Sequence, residues 1–249
     1  MKVLVCVKRV PMTGGRIVLT ADERAIDTRF LGSAVSPHEE CAVEEAVRVV
    51  EAHGGESVVL TLGPSEAEEQ LRDAMALGID RAILLETDGR ELDPGETASA
   101  IAQAVSSQPF DLMLFGNEAA DTGDYQVGVR VAHALGLPCV TGAKELEIGD
   151  GRAAVRREAG AGWEVFEVPL PAVVAVREGI NLPRYPSVPG RLRAKGKPVE
   201  RSQVAGSGAG LEMIRLALPE DRGKEVRVLG RGPEAAAAVI DLLRDLGMV

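Results

Sequence analysis

The sequence predicts an α/β fold, in which a doubly wound and mostly parallel sheet carries helices on both faces. Short apolar runs that suit strands buried on both sides alternate four times in succession with segments of helical periodicity. This alternation is typical of parallel sheets, because each return between parallel strands needs a helix-sized connection. The clearest unit is residues 111–136, where the run from Leu112 to Phe115 precedes a polar turn and a helical pattern that ends at Gly136.

Boundary signals mark the helices of these units. Ser36 before Pro37 is a typical helix start, and Ser65 with Glu68 three residues later forms a capping-box pattern. In the fourth unit, either Asp121 or Thr122 can cap the helix. The predicted strands are residues 3–7, 57–62, 81–85 and 112–115, and the predicted helices start at 36, 65, 94 and 121–122. The buried stripe of the fourth helix is predicted at Val127, Val131, Ala134 and Leu135.

The alternation stops after Pro138. Residues 143–148, 153–157 and 164–168 are rich in strand formers and are separated by glycine turns, which predicts an antiparallel meander at the sheet edge. A further strand is predicted at 171–176. Lys195 and Lys197 are interpreted as a solvated basic run. Residues 205–210 are predicted to be a linker, 225–229 a strand, and 234–246 an amphipathic helix on a C-terminal arm that docks on a partner subunit.

Composition excludes several classes of protein. The net charge of −10 and the aromatic content of 3% oppose nucleic-acid binding, although one nucleotide in a local pocket is compatible with this charge. Three scattered cysteines form no CxxC pair, which indicates thiols in a reducing compartment. Neither a signal peptide nor a membrane-spanning run is recognisable, so we expect a cytoplasmic protein that does not insert into membranes.

Sequence motifs for catalysis are missing. The sequence contains no GxSxG, HExxH, GxxxxGK[ST] or GxGxxG motif. Each of its three histidines lies on a predicted helix, without Cys or carboxylate partners at metal-ligand spacing, so no metal site is predicted. Spacing alone therefore favours a binding protein over an enzyme.

Two features of the sequence nevertheless indicate binding sites. The ends of the strands at Val7, Leu62 and Gly116 are predicted to converge on one crevice, where the N-terminus of the fourth helix could hold a phosphate. An ordinary strand–helix connection fits the same local pattern. The second feature is a proline-stiffened loop, residues 179–189, in which Ile180 and Leu182 either contact a partner or pack into the protein's own core. Both placements stay open.

Five ordered segments together resemble the β (small) subunit of electron-transfer flavoproteins, from residue 1 to about residue 200. They are VLVCVKRVP at 3–11, SPHEECAVEEAVR at 36–48, LGP at 62–64 followed by LRDAMALGIDRAILLE, DLMLFGNEAADTGDYQVG at 111–128, and VPLPAVVAVREGINLPRYPSVPGRLRAKGKPVE at 168–200. The resemblance implies a nucleotide-binding, adenine-nucleotide hydrolase-like α/β domain at 1–200, which includes a recognition loop at 176–190, and a linker and arm at 201–249.

The resemblance also implies cofactors and partners. FAD would be held mainly by an α subunit and completed by this chain, and one AMP would be buried here. Electrons would pass from acyl-CoA or related dehydrogenases to a membrane quinone oxidoreductase. The implied cofactor-binding residues are Cys6, Ser36, Pro37, His38, Glu39, Leu62, Ala119, Ala120, Asp121, Thr122, Gly123, Asp124, Tyr125, Gln126, Val127 and Gly128. The implied partner-binding residues are Ile180, Asn181, Leu182, Pro183, Arg184 and Tyr185, with Ile180 as the anchor.

Two rival functions remain at this stage. One is a stand-alone ATP-binding signalling protein of the universal-stress type, which would need phosphate-binding glycines where this sequence has Asp121 and Asp124. The other is a small-molecule hydrolase, for which no nucleophile–base pair is recognisable. A second FAD in place of AMP is also left open.

Overall fold

The computed structural model describes residues 1–12, 14, 17–206, 210–219 and 228–249. The helices of these residues are α1 Pro37–His53, α2 Glu68–Leu77, α3 Pro94–Val105, α4 Val127–Leu135, α5 Val188–Gly196 and α6 Ala235–Asp245. The strands are β1 Lys2–Cys6, β2 Val10–Pro11, β3 Ser33–Ala34, β4 Glu56–Gly63, β5 Arg81–Glu86, β6 Leu112–Gly116, β7 Cys139–Gly149, β8 Arg152–Ala159, β9 Gly162–Pro169, β10 Ala172–Val176 and β11 Val199–Gln203. A 3₁₀ turn, Ser65–Ala67, precedes α2.

A nine-stranded sheet in the order β11-β5-β4-β1-β6-β10-β7-β8-β9 forms the centre of the fold. All neighbours from β11 to β7 are parallel, whereas β7, β8 and β9 are antiparallel to one another. This confirms the α/β class, the mostly parallel sheet and the meander at its edge. From β1 the chain moves outward to β4 and β5, then returns to place β6 on the other side of β1. The strand order therefore reverses between β1 and β6.

Two apolar cores cover the two faces of the sheet, because successive side chains of a strand point to opposite sides. Val3 and Val5 of β1 pack with α1 and α2, while Leu4 and Cys6 pack with α3 and α4. This arrangement is the predicted doubly wound architecture. Ala134, predicted in the buried stripe of α4, is instead exposed, because α4 buries Val131 and Ala132.

Two predicted helix starts are wrong. Ser65 lies inside the 3₁₀ turn, and its hydroxyl bonds Glu66 while Glu68 accepts a bond from Arg72. Pro64, with φ near −67°, begins the turn one residue earlier than the capping pattern requires. Neither Asp121 nor Thr122 caps α4, which starts later, at Val127 after Gln126.

The segment after the recognition loop is more regular than predicted. Ser187 caps α5 by accepting the Gly190 N–H at 3.1 Å, and Lys197 donates to the carbonyls of Met75 and Ile79 at the end of α2. Lys197 is therefore a structural cation, and its interpretation as part of a solvated run is wrong. β11 then pairs with β5 and spans the domain boundary predicted at residue 200. The division into two domains stays a prediction.

The predictions for the C-terminal segment can be compared with the structure only in part. The predicted helix at 234–246 is present as α6, and none of its side chains is buried. The predicted linker at 205–210 and the predicted strand at 225–229 lie partly outside the described residues.

Candidate functional site

A crevice of about 500 Å³ opens where the carboxyl ends of β1, β4 and β6 meet. Residues that follow all three strands line it, among them Lys8, Pro64 and Asn117. The predicted convergence of strand ends is thus confirmed. The crevice lies at the point where the strand order reverses, which is where open α/β sheets commonly bind nucleotides. Its volume falls within the range of small-molecule sites.

Glu39 is a buried carboxylate at this crevice. Its two oxygens accept the backbone N–H groups of Lys8 at 3.0 Å and of Ser36 at 3.2 Å, so it joins the end of β1 to the start of α1. Burial raises the Glu39 pKa to about 8, despite the lowering effect of these two bonds. Gly116 faces it closely, because a Cβ atom there would lie 2.5 Å from the Glu39 Cγ.

Cys6 lies beside Glu39 at the end of β1. Burial, reinforced by the charge of Glu39, raises the pKa of the Cys6 thiol. The thiol therefore stays protonated, which removes the nucleophilic and metal-binding character of a thiolate.

Lys8 is the cation that links the walls of the crevice, and it is not among the predicted cofactor-binding residues. Its Nζ lies 2.6 Å from a Glu91 oxygen and 2.7 Å from an Asp121 oxygen. Burial alone would lower the Lys8 pKa, but the two carboxylates together raise it. Lys8 directly follows a buried strand, and this position is the signal that could have identified it.

The polar loop between β6 and α4 is fixed by neighbouring elements. The Ser36 hydroxyl accepts the Ala120 N–H at 2.9 Å, and the Asn117 side chain accepts the Gly142 N–H at 2.8 Å. These bonds hold the loop beside the crevice. Ser36 thus acts by positioning the loop and not by lining the cavity.

The N-terminus of α4 faces the crevice. The first N–H groups of a helix have no partner within the helix and favour an anion. Gly128 allows α4 to pack closely on β6, since a Cβ atom there would lie 3.2 Å from the ring of Phe115. The Gln126 side chain accepts two bonds from Arg130, at 3.0 and 2.9 Å, so it lies along the helix.

Most of the predicted cofactor-binding residues come together in this crevice. Those that line it are Cys6, Glu39, Leu62, Ala119, Asp121, Thr122, Asp124, Tyr125, Gln126, Val127 and Gly128. Those that are not among its lining residues are Ser36, Pro37, His38, Ala120 and Gly123. His38 lies instead 3.7 Å from Glu118, and burial lowers its pKa.

Sequence reasoning also missed the contribution of the chain after β11. Met213 and Leu216 line the crevice, although they lie far along the chain from the strand ends. The Leu211 N–H bonds the Asp93 carboxylate at 3.2 Å, and the Leu216 N–H bonds the Glu23 carbonyl at 2.7 Å. The sequence around Met213 and Leu216 has no hydrophobic periodicity that would predict their position at the crevice.

The predicted partner-binding residues 180–185 lie in one loop but do not share an orientation. Ile180 is partly buried and packs against the core, whereas Leu182 and Tyr185 are 90% and 96% exposed. Asn181 and Arg184 bond α1, and Pro183 is partly buried.

The described part of the chain contains neither a cluster of metal-ligand side chains nor a helix suited to crossing a membrane. Among these residues, His, Cys, Asp and Glu form no group of three or more that could hold a metal ion. None of the helices described has both the length and the apolar character needed to cross a membrane.

Comparison with known proteins identifies the family. A model of the electron transfer flavoprotein domain matches residues 25–207. The chain belongs to the electron transfer flavoprotein β-subunit family. An electron transfer flavoprotein subunit β of Syntrophomonas wolfei is 37% identical over 229 residues, which cover 92% of this chain and 90% of the relative.

Other relatives carry the same name. A β subunit of Bacillus subtilis is 36% identical over 219 residues, covering 84% of this chain and 85% of the relative. A mitochondrial β subunit of Arabidopsis thaliana is 32% identical over 235 residues, covering 92% and 93%. These names are those of an electron carrier subunit in a flavoprotein, and a β subunit implies an α subunit with which it forms a heterodimer.

Proposed function

We propose that this chain binds AMP in its crevice, completes the FAD site of an α subunit, and serves electron transfer without turnover of its own. The donors would be acyl-CoA or related dehydrogenases, the acceptor a membrane quinone oxidoreductase of the respiratory chain, and the compartment the cytoplasm. FAD, when bound, supplies the chemistry by taking up and releasing electrons one at a time.

The AMP proposal rests mainly on one observation. The N-terminus of α4 faces the crevice at the place where the strand order of the sheet reverses. The crevice volume of about 500 Å³ suits a small organic ligand. The N–H groups at Val127 and Gly128 would hold a single phosphate, and the apolar lining from Leu62 and Phe115 would cover the base. No side-chain nucleophile is needed for this role.

The charges that line the crevice favour a nucleoside monophosphate as the ligand over a triphosphate. Lys8 already shares its charge between Glu91 and Asp121, and Glu118 and Asp124 add further carboxylates to the lining. Extra phosphate groups would be repelled by these carboxylates. This argument disfavours the ATP-binding signalling protein. Tight ATP binding by the lone chain, measured by calorimetry, would reinstate that alternative.

The test is to co-express the chain with its α subunit, denature the purified complex and quantify the released nucleotides by chromatography. One FAD and one AMP per heterodimer are expected. FAD without AMP would refute the AMP site, two FAD molecules would place a second redox cofactor in the crevice, and a colourless or absent complex would refute the whole proposal.

A glycine variant makes the test specific to the crevice. Gly128→Val should lower the AMP content and leave FAD in place, because its side chain pushes the first turn of α4 away from Phe115. Gly149→Ala is the matched control, since nothing lies within 4 Å of the added Cβ. Full AMP retention in Gly128→Val would contradict the assignment of the phosphate to α4.

A further inference from the structure

The described residues 210–219, which lie between β11 and α6, run beside the crevice and line part of it. The crevice lining includes residues of the loop before α3, between 87 and 94, and of the loop between β2 and β3, between 24 and 28. Met213 and Leu216 reach the same cavity, whereas Leu211 and Ile214 are 82% and 81% exposed. The segment therefore has one side on the crevice and one side turned away from it.

Backbone hydrogen bonds fasten this segment at two places. At its start, the Leu211 N–H donates to Asp93 Oδ2 at 3.2 Å, in the loop before α3. Five residues later, the Leu216 N–H donates to the Glu23 carbonyl at 2.7 Å, in the loop between β2 and β3. Because these two loops contribute opposite parts of the lining, the segment bridges them. We call residues 211–216 the strap.

Asp93 uses its two carboxylate oxygens for different purposes. Oδ1 accepts the N–H groups of Gly95 at 2.6 Å and of Glu96 at 3.3 Å, and so caps α3. Oδ2 accepts the Leu211 N–H of the strap. Since the cap fixes the carboxylate at the start of α3, the strap is attached to a rigid point of the fold.

Two glycines allow the chain to approach the loop before α3. A Cβ atom on Gly206 would lie 2.6 Å from Leu92 Cδ2, and a Cβ atom on Gly210 would overlap the Asp93 carboxylate. Asp93 is held by its cap, so it could not move aside without weakening α3. The sequence around these glycines predicted a flexible linker, but at these two positions the absence of a side chain serves close packing.

We propose that the strap closes the crevice over the bound nucleotide, that the nucleotide enters and leaves when the strap detaches, and that Asp93 is the positioning residue that holds the strap closed. The inference rests on the proposed function, because the nucleotide is the AMP proposed there. It adds Met213 and Leu216 to a site whose predicted residues all lie between 6 and 128. Their apolar side chains would exclude water from the ligand.

The strap is the wall of the crevice that opens at the least cost. It has no regular secondary structure, whereas the strand ends and α4 belong to the central sheet and its covering helices. The ion pair between Arg24 and Glu212, at 3.3 Å, joins side chains that are 54% and 79% exposed, so it adds little. Local opening is easiest where buried contacts are few.

The first experiment measures nucleotide release from the FAD-containing heterodimer. The complex is assembled with radiolabelled AMP and then diluted into excess unlabelled AMP. Asp93→Asn should release AMP about tenfold faster, because its amide oxygen keeps the α3 cap while its NH₂ group cannot accept the Leu211 N–H. FAD content should not change. Asp150→Asn, in an exposed turn of the meander, is the matched control and should release AMP at the wild-type rate.

The second experiment reaches the same anchor from the strap side. Gly210→Ala should also speed AMP release, since its Cβ displaces the strap from Asp93. Gly149→Ala, with open space at the Cβ, is its control. The double variant of Gly210→Ala and Asp93→Asn should release AMP no faster than the faster single variant, because both remove one attachment. Glu212→Gln should change the rate at most about twofold.

Hydrogen exchange separates positioning from a general loss of structure. In Asp93→Asn and Gly210→Ala, the amides of residues 211–216 should exchange faster, while those of α3 keep their wild-type rates. Asp93→Ala should speed exchange in both regions, because it removes the cap as well.

Two outcomes would overturn the inference alone. If the strap amides exchange faster in Asp93→Asn while AMP release stays at the wild-type rate, the strap does not close the nucleotide site. If neither changes, Asp93 does not hold the strap. A wild-type heterodimer that retains FAD but binds no radiolabelled AMP would refute the proposed AMP site, and this inference with it.

Discussion

Glu39 is a buried carboxylate whose protonation should make stability depend on pH. Burial raises its folded pKa from the ordinary 4.5 to about 8, so the folded chain keeps a proton that the unfolded chain has already released. Because the folded state binds more protons in this window, the free energy of unfolding should fall as pH rises from about 4.5 to about 8. The slope is at most about 1.4 kcal/mol per pH unit.

The variant Glu39→Gln should flatten this dependence, because glutamine resembles the protonated acid at every pH. Urea unfolding at a series of pH values would measure it, and Glu147→Gln, at an exposed position of β7, serves as the control. If wild type and Glu39→Gln have parallel pH profiles, folding does not raise the pKa of Glu39.

Gly116 is the residue that Glu39 packs against. Gly116→Ala should lower the free energy of unfolding by about 1–3 kcal/mol, because its Cβ would lie 2.5 Å from Glu39 Cγ and 3.1 Å from the Glu39 nitrogen. Gly149→Ala, with open space at the Cβ, should be close to neutral. Equal effects of the two substitutions would show that the close approach relaxes without cost.

At the residue scale the sequence predicted many of the residues that meet at the crevice, but not what each one does. Cys6, Glu39 and Gly128 were assigned to one site and all line the crevice. The interaction of Lys8 with Glu91 and Asp121 was not predictable, because it joins three loops distant in sequence. Burial of one charge against another depends on packing, which local patterns do not encode.

Helix α3 offers a test at the scale of the element. Asp93 caps it by accepting the N–H groups of Gly95 at 2.6 Å and of Glu96 at 3.3 Å. Asp93→Ala should cost about 1 kcal/mol of stability in thermal or urea unfolding, whereas Asp93→Asn should retain most of the cap. A loss of equal size in both variants would indicate that the charge of Asp93, and not its capping geometry, stabilises this region.

Elements with strong periodicity were predictable, and those formed by tertiary contacts were not. The central strands and α1 follow their apolar patterns closely. Helix α5 contains Pro189, Gly190 and Gly196, and it forms because Ser187 caps it and α2 packs against it. The polar strand β11 has no apolar period and is defined by pairing with β5.

The C-terminal helix α6 gives a prediction at the scale of the whole molecule. Since none of its side chains is buried, deletion of residues 231–249 should change the unfolding free energy of the lone chain by less than about 0.5 kcal/mol. The same deletion should lower the yield of heterodimer with the α subunit, measured by size-exclusion chromatography. A marked loss of stability in the lone chain would mean that α6 belongs to this chain's own fold.

The topology of the molecule was predictable because the βα alternation leaves few ways to build a parallel sheet. The position of the crevice follows from the parallel strands, whose carboxyl ends lie at one edge of the sheet, and this is why the convergence of the strand ends could be predicted from the sequence. The covering of the crevice by Met213 and Leu216 could not be inferred, since it depends on the return path of a chain segment without regular structure.

Helix α1 contributes side chains to two regions, the crevice and the loop before α5. Glu39 in its first turn lines the crevice, while Glu44 and Glu51 accept hydrogen bonds from Arg184 of the loop. Each residue of an α-helix turns the chain by about 100°, so inserting or deleting one residue between Glu39 and Glu44 would swing the two sets of side chains apart. An alignment of β subunits should therefore be free of gaps from residue 36 to residue 51. Length variation among these proteins should be confined to segments such as the turns of the meander.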